Sequence, residues 1–523
     1  GDSLRLRSAP RDRAGEREVL RLSRRIAWLE SIIRNRLHDV DLSGNASRQQ
    51  QERQSELTPP ISTTDQLARP PDRRAHEIGL ISIGAHTDPK YIGPSSGYFL
   101  ARFLLAKSSQ KNVWPVSRAE SSASQSIIND LIDAVQGPLP FPNQSLVDRL
   151  CKAYFDTIHP QWPVLHEPSF RAAVDKMLSE RVTNAGSRQE DPHVSFHLYM
   201  VLAISATILS HRSKRQFSGE SYCLSALQYF DQLNLQSSIQ GLQCMLLLLI
   251  FTFHNPHMRL SIWHLNYQCV AAVVDLGLQR NVTASSGISL VDQEMRTRLF
   301  WTVYTLDRSI STMMGRPIGL RDEACELRLP NDLDEEDLPG PAPTVGSASC
   351  IAISIHFFKL AKLNSELKYV ANSIVREAPS YAYPPITDIL AWQRDMLSRF
   401  DEWSSRFPRD VSGNTYMETL CEIRYHAMKV LLLRPSPAIP IPSSGALIEC
   451  HESARKSIRL YDKLYRQELM VHDWITLHGI ISATITMIYC LRSVSELAMN
   501  VKLEDLVGDT NISLSILGAM GEH

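Results

Sequence analysis

Along most of the chain the apolar residues recur at intervals of three and four, the spacing that lines one face of an α-helix, and sustained period-two alternation is scarce. From about Asn143 onward this pattern runs in long segments separated by short polar, Pro or Gly breaks. It predicts helices over about 144–157, 168–182, 194–210, 218–233, 238–253, 259–277, 291–314, 348–376, 386–406, 413–433, 446–468 and 473–499. The expected fold class is therefore all-α. An isolated seam lies earlier, at residues 17–37, where Val19, Leu22, Ile26, Leu29 and Ile33 alternate three and four apart between charged flanks. A helix so brief persists in water only when its stripe is covered, so the seam reads as a coiled-coil dimerisation helix with a homodimer as the expected assembly, the alternative being a surface helix docked on the chain's own body. Residues 38–90 are rich in Ser, Gln, Pro and Arg, contain Pro59-Pro60 and Pro70-Pro71, and hold no sustained hydrophobic period, which reads as a flexible linker. The predicted organisation is thus a basic arm at 1–16, the coiled coil at 17–37, the linker at 38–90 and a helical domain at 91–523, with its motif core at about 144–433.

Charge alters this picture only at the front. The whole chain balances 55 Lys+Arg against 56 Asp+Glu, which excludes a globally basic nucleic-acid binder. Residues 1–36, however, carry ten arginines against five acids, so a basic arm is tethered to an acidic body. No apolar run follows the basic start, so no secretory signal is expected. The longest apolar runs, Leu242–Phe253 and Ile480–Cys490, fall short of the roughly 20 residues that cross a bilayer, so no membrane partner is expected. The nine cysteines stand at least 21 residues apart, too far for paired zinc-ligand or thioredoxin spacing, and most fall in apolar helical stretches as small buried hydrophobes.

Two segments carry more specific information. The first ends a helix at Tyr154-Phe155-Asp156-Thr157-Ile158-His159 and runs through Pro160-Gln161-Trp162-Pro163-Val164-Leu165-His166-Glu167-Pro168-Ser169-Phe170. Two prolines stop that helix, while Pro168 suits the first turn of the next, where its missing N–H is no loss. The result is a rigid corner, pinned by Trp162, Val164, Leu165 and Phe170. The second segment holds Arg298, Phe300 and Trp301, then Asp307-Arg308, then Gly315-Arg316-Pro317, with a core stripe of Leu299, Val303, Leu306, Ile310 and Met314 and with Gly315 as terminator. An acid beside a buried stripe is costly when bare, so Asp307 is expected to pair with Arg308 or Arg316 and to hold the loop after the helix. Its expected role is structural, not catalytic.

In this order and separation the two segments resemble the middle homology region of fungal zinc-cluster regulators, the fungal-specific transcription factor domain. The matching positions are Phe155, His159, Pro160, Pro163, His166, Pro168 and Phe170, then Arg298, Phe300, Trp301, Asp307, Arg308, Gly315, Arg316 and Pro317. A weaker third match is Tyr91-Ile92-Gly93-Pro94-Ser95-Ser96-Gly97, similar to the segment many members carry between linker and body. The resemblance covers about residues 90–430 and implies a nuclear regulator of RNA polymerase II transcription over a metabolic or secondary-metabolite gene set. Its implied partners are DNA, the transcription machinery, a second copy of itself and an inducer whose identity no residue gives.

In that family a cluster of six cysteines holding two zinc ions precedes the coiled coil, whereas here no cysteine occurs before Cys151. Zinc is therefore expected only upstream of this sequence, with no cofactor, metal site or catalytic residue in the chain itself. The sequence opens on Gly1, and the expectation is a chain that starts after the cluster. The alternative is a cluster-less sensor module that does not touch DNA. Two chemical readings are weaker. Gly93-Pro94-Ser95-Ser96-Gly97 fits the Gly-x-Ser-x-Gly elbow of hydrolases, but a Pro-rich linker precedes it where a buried strand is required. His254, His257 and His264 would align as metal ligands only on an unbroken helix, and Pro256 interrupts it.

Overall fold

The periodicities become fifteen α-helices among the residues that the computed structural model describes, namely 79–81, 90–108, 137–183, 191–213, 217–235, 238–255, 260–280, 288–326, 328–332, 351–372, 386–408 and 414–521. They are α1 (Tyr98–Ser108), α2 (Gln144–Thr157), α3 (Glu167–Thr183), α4 (Pro192–Ser213), α5 (Gly219–Leu227), α6 (Ile239–His254), α7 (Ile262–Asp275) and α8 (Leu290–Met314). After these come α9 (Ala352–Ala371), α10 (Ile389–Ser405), α11 (Thr415–Leu433), α12 (Ser444–Arg466), α13 (Trp474–Ser493), α14 (Ser495–Asn500) and α15 (Leu503–Gly521). The chain divides into two units, 1–70 and 71–523, and every described residue lies in the second. The seam residues Val19, Leu22, Ile26, Leu29 and Ile33 lie outside the described residues.

Side-chain caps set many of the starts. Asn143, Ser238, Ser261, Ser289, Asp388, Asn414, Ser443 and Asp473 each accept a backbone N–H of the first turn, satisfying donors that have no partner inside the helix. Several differences from the sequence reading stand out, α1 among them, since no helix was predicted before about residue 144. The segment at 218–233 breaks into α5 and a 3-10 turn at Phe230–Gln232, and the one at 473–499 breaks at Val494, whose backbone is extended. The region read as linker up to residue 90 contains a strand, β1 (Gly79–Ile81), paired antiparallel with β2 (Lys90–Ile92). A final helix, α15, follows where none was predicted; its Asp509 accepts from Arg455 at 2.8 Å and Arg459 at 2.9 Å on α12.

The centre of the body is α4, buried on all sides from Ser195 to Ile208 and flanked by α2, α5 and α6. Its 22 residues and its hydropathy would suit a bilayer, a length the apolar runs alone understate, and α13 shares both properties; protein rather than lipid covers α4. One apolar core joins α2–α11, and a second cluster joins α11, α12 and α13 through Leu433, Leu447, Ile458 and Met487. Helices α8, α9, α11 and α13 converge between these clusters, and the site lies at that junction.

Candidate functional site

The corner after α2 is built as its prolines dictate. Phe155 packs its ring 5.8 Å from Phe170 and 5.1 Å from His159, and His166 Nδ1 lies 2.7 Å from Ser169 Oγ, tying the turn to the start of α3. Pro168 sits in the first turn of α3. Trp162, Val164, Leu165 and Phe170 are all buried. The carbonyl of Pro160 accepts from Ser354 Oγ of α9 at 2.9 Å, which fixes the corner against the junction.

Helix α8 supplies a charged hub. Asp307 and Arg308 are both fully buried, and Arg308 Nη1 donates to Asp307 Oδ2 at 3.2 Å. The same carboxylate accepts from Asn266 Nδ2 of α7 at 2.9 Å and from the backbone N–H groups of Gly319 at 2.9 Å and Leu320 at 3.2 Å. Arg308 in turn donates to the Leu320 carbonyl at 2.6 Å and to Asp322 Oδ1 at 2.9 Å, while its guanidinium lies 3.4 Å from the centre of the Tyr304 ring. Burial raises the Asp307 carboxyl above its ordinary pKa, and Arg308 together with the N–H donors pulls it back. The pair therefore folds the 315–322 loop onto α8. Arg298 is also fully buried, Phe300 and Trp301 pack edge to face at 5.3 Å, and Trp301 Nε1 donates to the Arg328 carbonyl at 2.9 Å.

Arg316 does something else. It donates from Nε to the Tyr91 carbonyl at 3.1 Å and lies over the Trp263 ring at 4.8 Å. Gly315 ends α8 in the left-handed region at φ 66°, and the N–H of Arg316 reaches the Ser311 carbonyl at 2.9 Å, the 6→1 bond of a Schellman motif. A side chain at Gly315 would be strained by that φ and would also strike Gly93.

Gly93 touches it because residues 91–97 run as a strap across the end of α8. Gly93 N–H donates to the Met314 carbonyl at 3.1 Å, and a Cβ on Gly93 would stand 1.9 Å from the Gly315 carbonyl oxygen. Ser95 Oγ donates to the Thr312 carbonyl at 2.9 Å. Two buried cations complete the hold: Lys368 Nζ of α9 donates to Ser95 Oγ and, at 3.0 Å, to the Ser311 carbonyl, and Arg434 Nη2 donates to the Ser95 carbonyl. Arg434 Nη1 also reaches Ser482 Oγ of α13 at 3.0 Å. Burial and the nearby Arg434 lower Lys368 to about 7, and burial lowers Arg434 to about 10.

Beneath the strap lies a cavity of about 150 Å³ between α8, α9, α11, α12 and α13. Ser95, Arg424, Arg434 and His478 line it beside apolar walls that include Trp162, Phe357 and Leu431, and no Asp or Glu is among the lining residues. Sequence reasoning missed Lys368, Arg424 and Arg434. For Lys368 the usable signal is a lone cation on the stripe Phe357, Ala361, Asn364, Ala371.

The hydrolase elbow has no support in this geometry. Residues Pro94–Ser96 form a 3-10 turn after a two-stranded hairpin, and among the described residues no His or carboxylate hydrogen-bonds Ser95 Oγ. His254 is buried at the end of α6, His264 is exposed at the start of α7 and bonds Ser261 Oγ at 2.7 Å, and His257 lies outside the described residues. Among the described residues no three His, Cys, Asp or Glu side chains gather as a metal site, and the eight described cysteines are free thiols, seven of them buried. These residues do not fit the family's zinc cluster.

Comparison with known proteins agrees with this architecture. Residues 151–405 match the model of the "Fungal specific transcription factor domain", a span that includes both the corner and the hub. The chain is 24% identical over 532 residues to the "Positive regulator of purine utilization" of Emericella nidulans, covering 79% of this chain and 50% of that protein. It is 25% identical over 365 residues to "Protein STB5" of Saccharomyces cerevisiae, covering 67% of this chain and 48% of that one. With the "Pyrimidine pathway regulatory protein 1" of the same yeast it shares 26% identity over 324 residues, 55% of this chain and 34% of that one. The chain thus spans half or less of the length of these relatives, which are regulators, not enzymes, where their names state a role. Motif order, helical architecture and relatives point the same way: residues 151–405 match the fungal-specific transcription factor domain.

Proposed function

We propose that this chain is the regulatory body of a fungal regulator of RNA polymerase II transcription, acting in the nucleus on a metabolic or secondary-metabolite gene set. The observation that carries the reading is the family match over 151–405, with the corner and the Asp307 hub inside it. Two relatives are named for purine utilization and the pyrimidine pathway, which favours a metabolic gene set. In this reading a zinc cluster N-terminal to the seam reads the bases, because base recognition needs side chains held rigidly against base edges. The arginines of residues 5–36 supply only phosphate-neutralising charge. Val19, Leu22, Ile26, Leu29 and Ile33 pair two copies, and the helical body addresses the transcription machinery.

The test is a tethering experiment. The chain, fused to an unrelated DNA-binding domain whose sites lie upstream of a reporter in yeast, is expected to change transcript output several-fold relative to that domain alone. A fusion that occupies its sites by chromatin immunoprecipitation yet leaves output unchanged would sink the proposal.

A further inference from the structure

The junction under the strap holds more positive charge than its hydrogen bonds explain. Arg434 is 2% exposed and Lys368 7% exposed, and among the described residues neither forms an ion pair with a carboxylate. Their partners are neutral: the Ser95 carbonyl and hydroxyl, the Ser311 carbonyl and the Ser482 hydroxyl. Asp307 is the one acid whose field reaches Lys368, and its oxygens are already engaged by Arg308, Asn266 and the 319–320 backbone. Arg424 of α11 lines the cavity and likewise forms no ion pair among the described residues, while His478, lowered to about 4 by burial and Arg434, stands beside it as a neutral imidazole. Carbonyl bonds suffice to hold a strap, but they do not neutralise the buried Arg434, whose charge remains a standing cost until an anion arrives and already pushes the neighbouring Lys368 toward its neutral form.

The remaining walls define that anion's shape. They combine aromatic and aliphatic side chains with neutral polar ones such as Thr305, Ser309 and Asn364, and a space of about 150 Å³ matches the cavity size that accepts one benzene ring. Arg424, Ile475 and His478 are only part-buried, so the space is reachable from solvent. From this we infer that the cavity is a binding site for a small organic carboxylate whose body is no larger than about one six-membered ring, its carboxylate on Arg424 and Arg434 and its ring against Trp162, Phe357 and Leu431. Ser95 lines the same space, so an occupant touches the strap and the body at once. The inference extends the regulator reading by giving the body something to sense, yet its test is a binding measurement on the purified chain and stands or falls apart from the tethering result.

The probes are benzoate and benzamide, which share a shape and differ in charge. Calorimetric titration of the full chain is expected to show saturable one-to-one binding of benzoate, with benzamide at least about tenfold weaker. Arg424→Gln alters a part-exposed side chain and is expected to weaken benzoate by about tenfold while leaving benzamide nearly unchanged. Ala427→Phe, which fills the cavity, is expected to abolish both, with far-UV circular dichroism verifying that each variant is folded. Equal affinity for the two probes, no binding of benzoate at about 10 mM, or unaltered benzoate binding in a folded Ala427→Phe chain would overturn the inference. The benzoate and benzamide comparison decides it on the unaltered chain if a variant fails to fold.

Discussion

Replacing Asp307 by Ala tests whether the hub is a structural pair. The substitution removes the acceptor for Asn266, for the N–H groups of Gly319 and Leu320 and for Arg308, and leaves the guanidinium with Asp322 as its remaining carboxylate. Stranding one partner of a buried pair costs on the order of 3–5 kcal/mol. With a melting entropy of roughly 2.1 cal/mol/K per residue, the unit spanning 71–523 totals on the order of 1 kcal/mol/K. The midpoint of thermal unfolding, followed by circular dichroism, is therefore expected to fall by about 3–5 °C. Glu323→Ala, at an exposed position in the 3-10 turn just after the 315–322 loop, removes a surface ion pair with Arg321 and is the control that should shift the midpoint little. Because the cost lies in stranding, Asp307→Ala combined with Arg308→Leu should lose less than the sum of the two single changes. An Asp307→Ala midpoint equal to that of the control would refute the reasoning.

Acid should weaken the body through its buried histidines. Burial lowers His197 and His356 from 6.5 to about 4, so the unfolded chain binds protons that the folded chain refuses, and stability present above pH 6.5 is lost as pH falls from about 6.5 through about 4. His356→Phe, which keeps the stack on Trp403, should flatten the fall in urea midpoint over that range; an unchanged slope would exonerate His356. Gly93→Ala should dislodge the strap, seen as faster hydrogen exchange at residues 91–97 with α4 unchanged, whereas parental protection there would contradict the close approach to Gly315. Ile26→Asp with Leu29→Asp should shift the light-scattering mass toward monomer, and a mass equal to the parent's would place dimerisation elsewhere. The chain alone should bind duplexes with Kd roughly 10⁻⁴–10⁻⁶ M at physiological salt; a preference of about a hundredfold for paired CGG triplets in fluorescence anisotropy would mean that these residues read bases themselves.

Local signals made much of this fold legible. The three-and-four spacing located α2 to α13 because those helices bury a face and their capping residues stand where the periodicity starts. Asp307 stood out because an acid on a buried stripe needs a partner, and the adjacent Arg308 provides one. What stayed hidden depends on contacts between distant parts of the chain. Lys368 meets Ser95 across 273 residues and Arg434 meets it across 339, so nothing near either cation announces the strap. Helix α15 escaped for a different reason: Gly508 and Gly518 weaken its intrinsic preference, and its hold comes from Asp509 reaching back to Arg455 and Arg459. The β1–β2 hairpin is two three-residue strands, too short for alternation to stand above the surrounding linker composition.

One helix sets all three features of the junction. Asp307 and Arg308, in the second half of α8, close the 315–322 loop; within about two turns Thr312, Met314 and Gly315 receive the strap; and Thr305, Ser309 and Thr312 form a wall of the cavity. These groups share a rigid hydrogen-bonded rod, so the strap cannot shift along α8 without moving the Schellman turn that the loop continues. Arg316 stands at that turn with its backbone in the Schellman bond and its side chain on the Tyr91 carbonyl, so loop and strap share a residue. A cavity bounded by the strap on one side and by α8 on another is thereby tied to the hub through covalent structure rather than through a chain of weak contacts. A side chain that touches neither the strap nor the cavity, as Asp307 does not, still fixes the geometry of both through the helix that carries it.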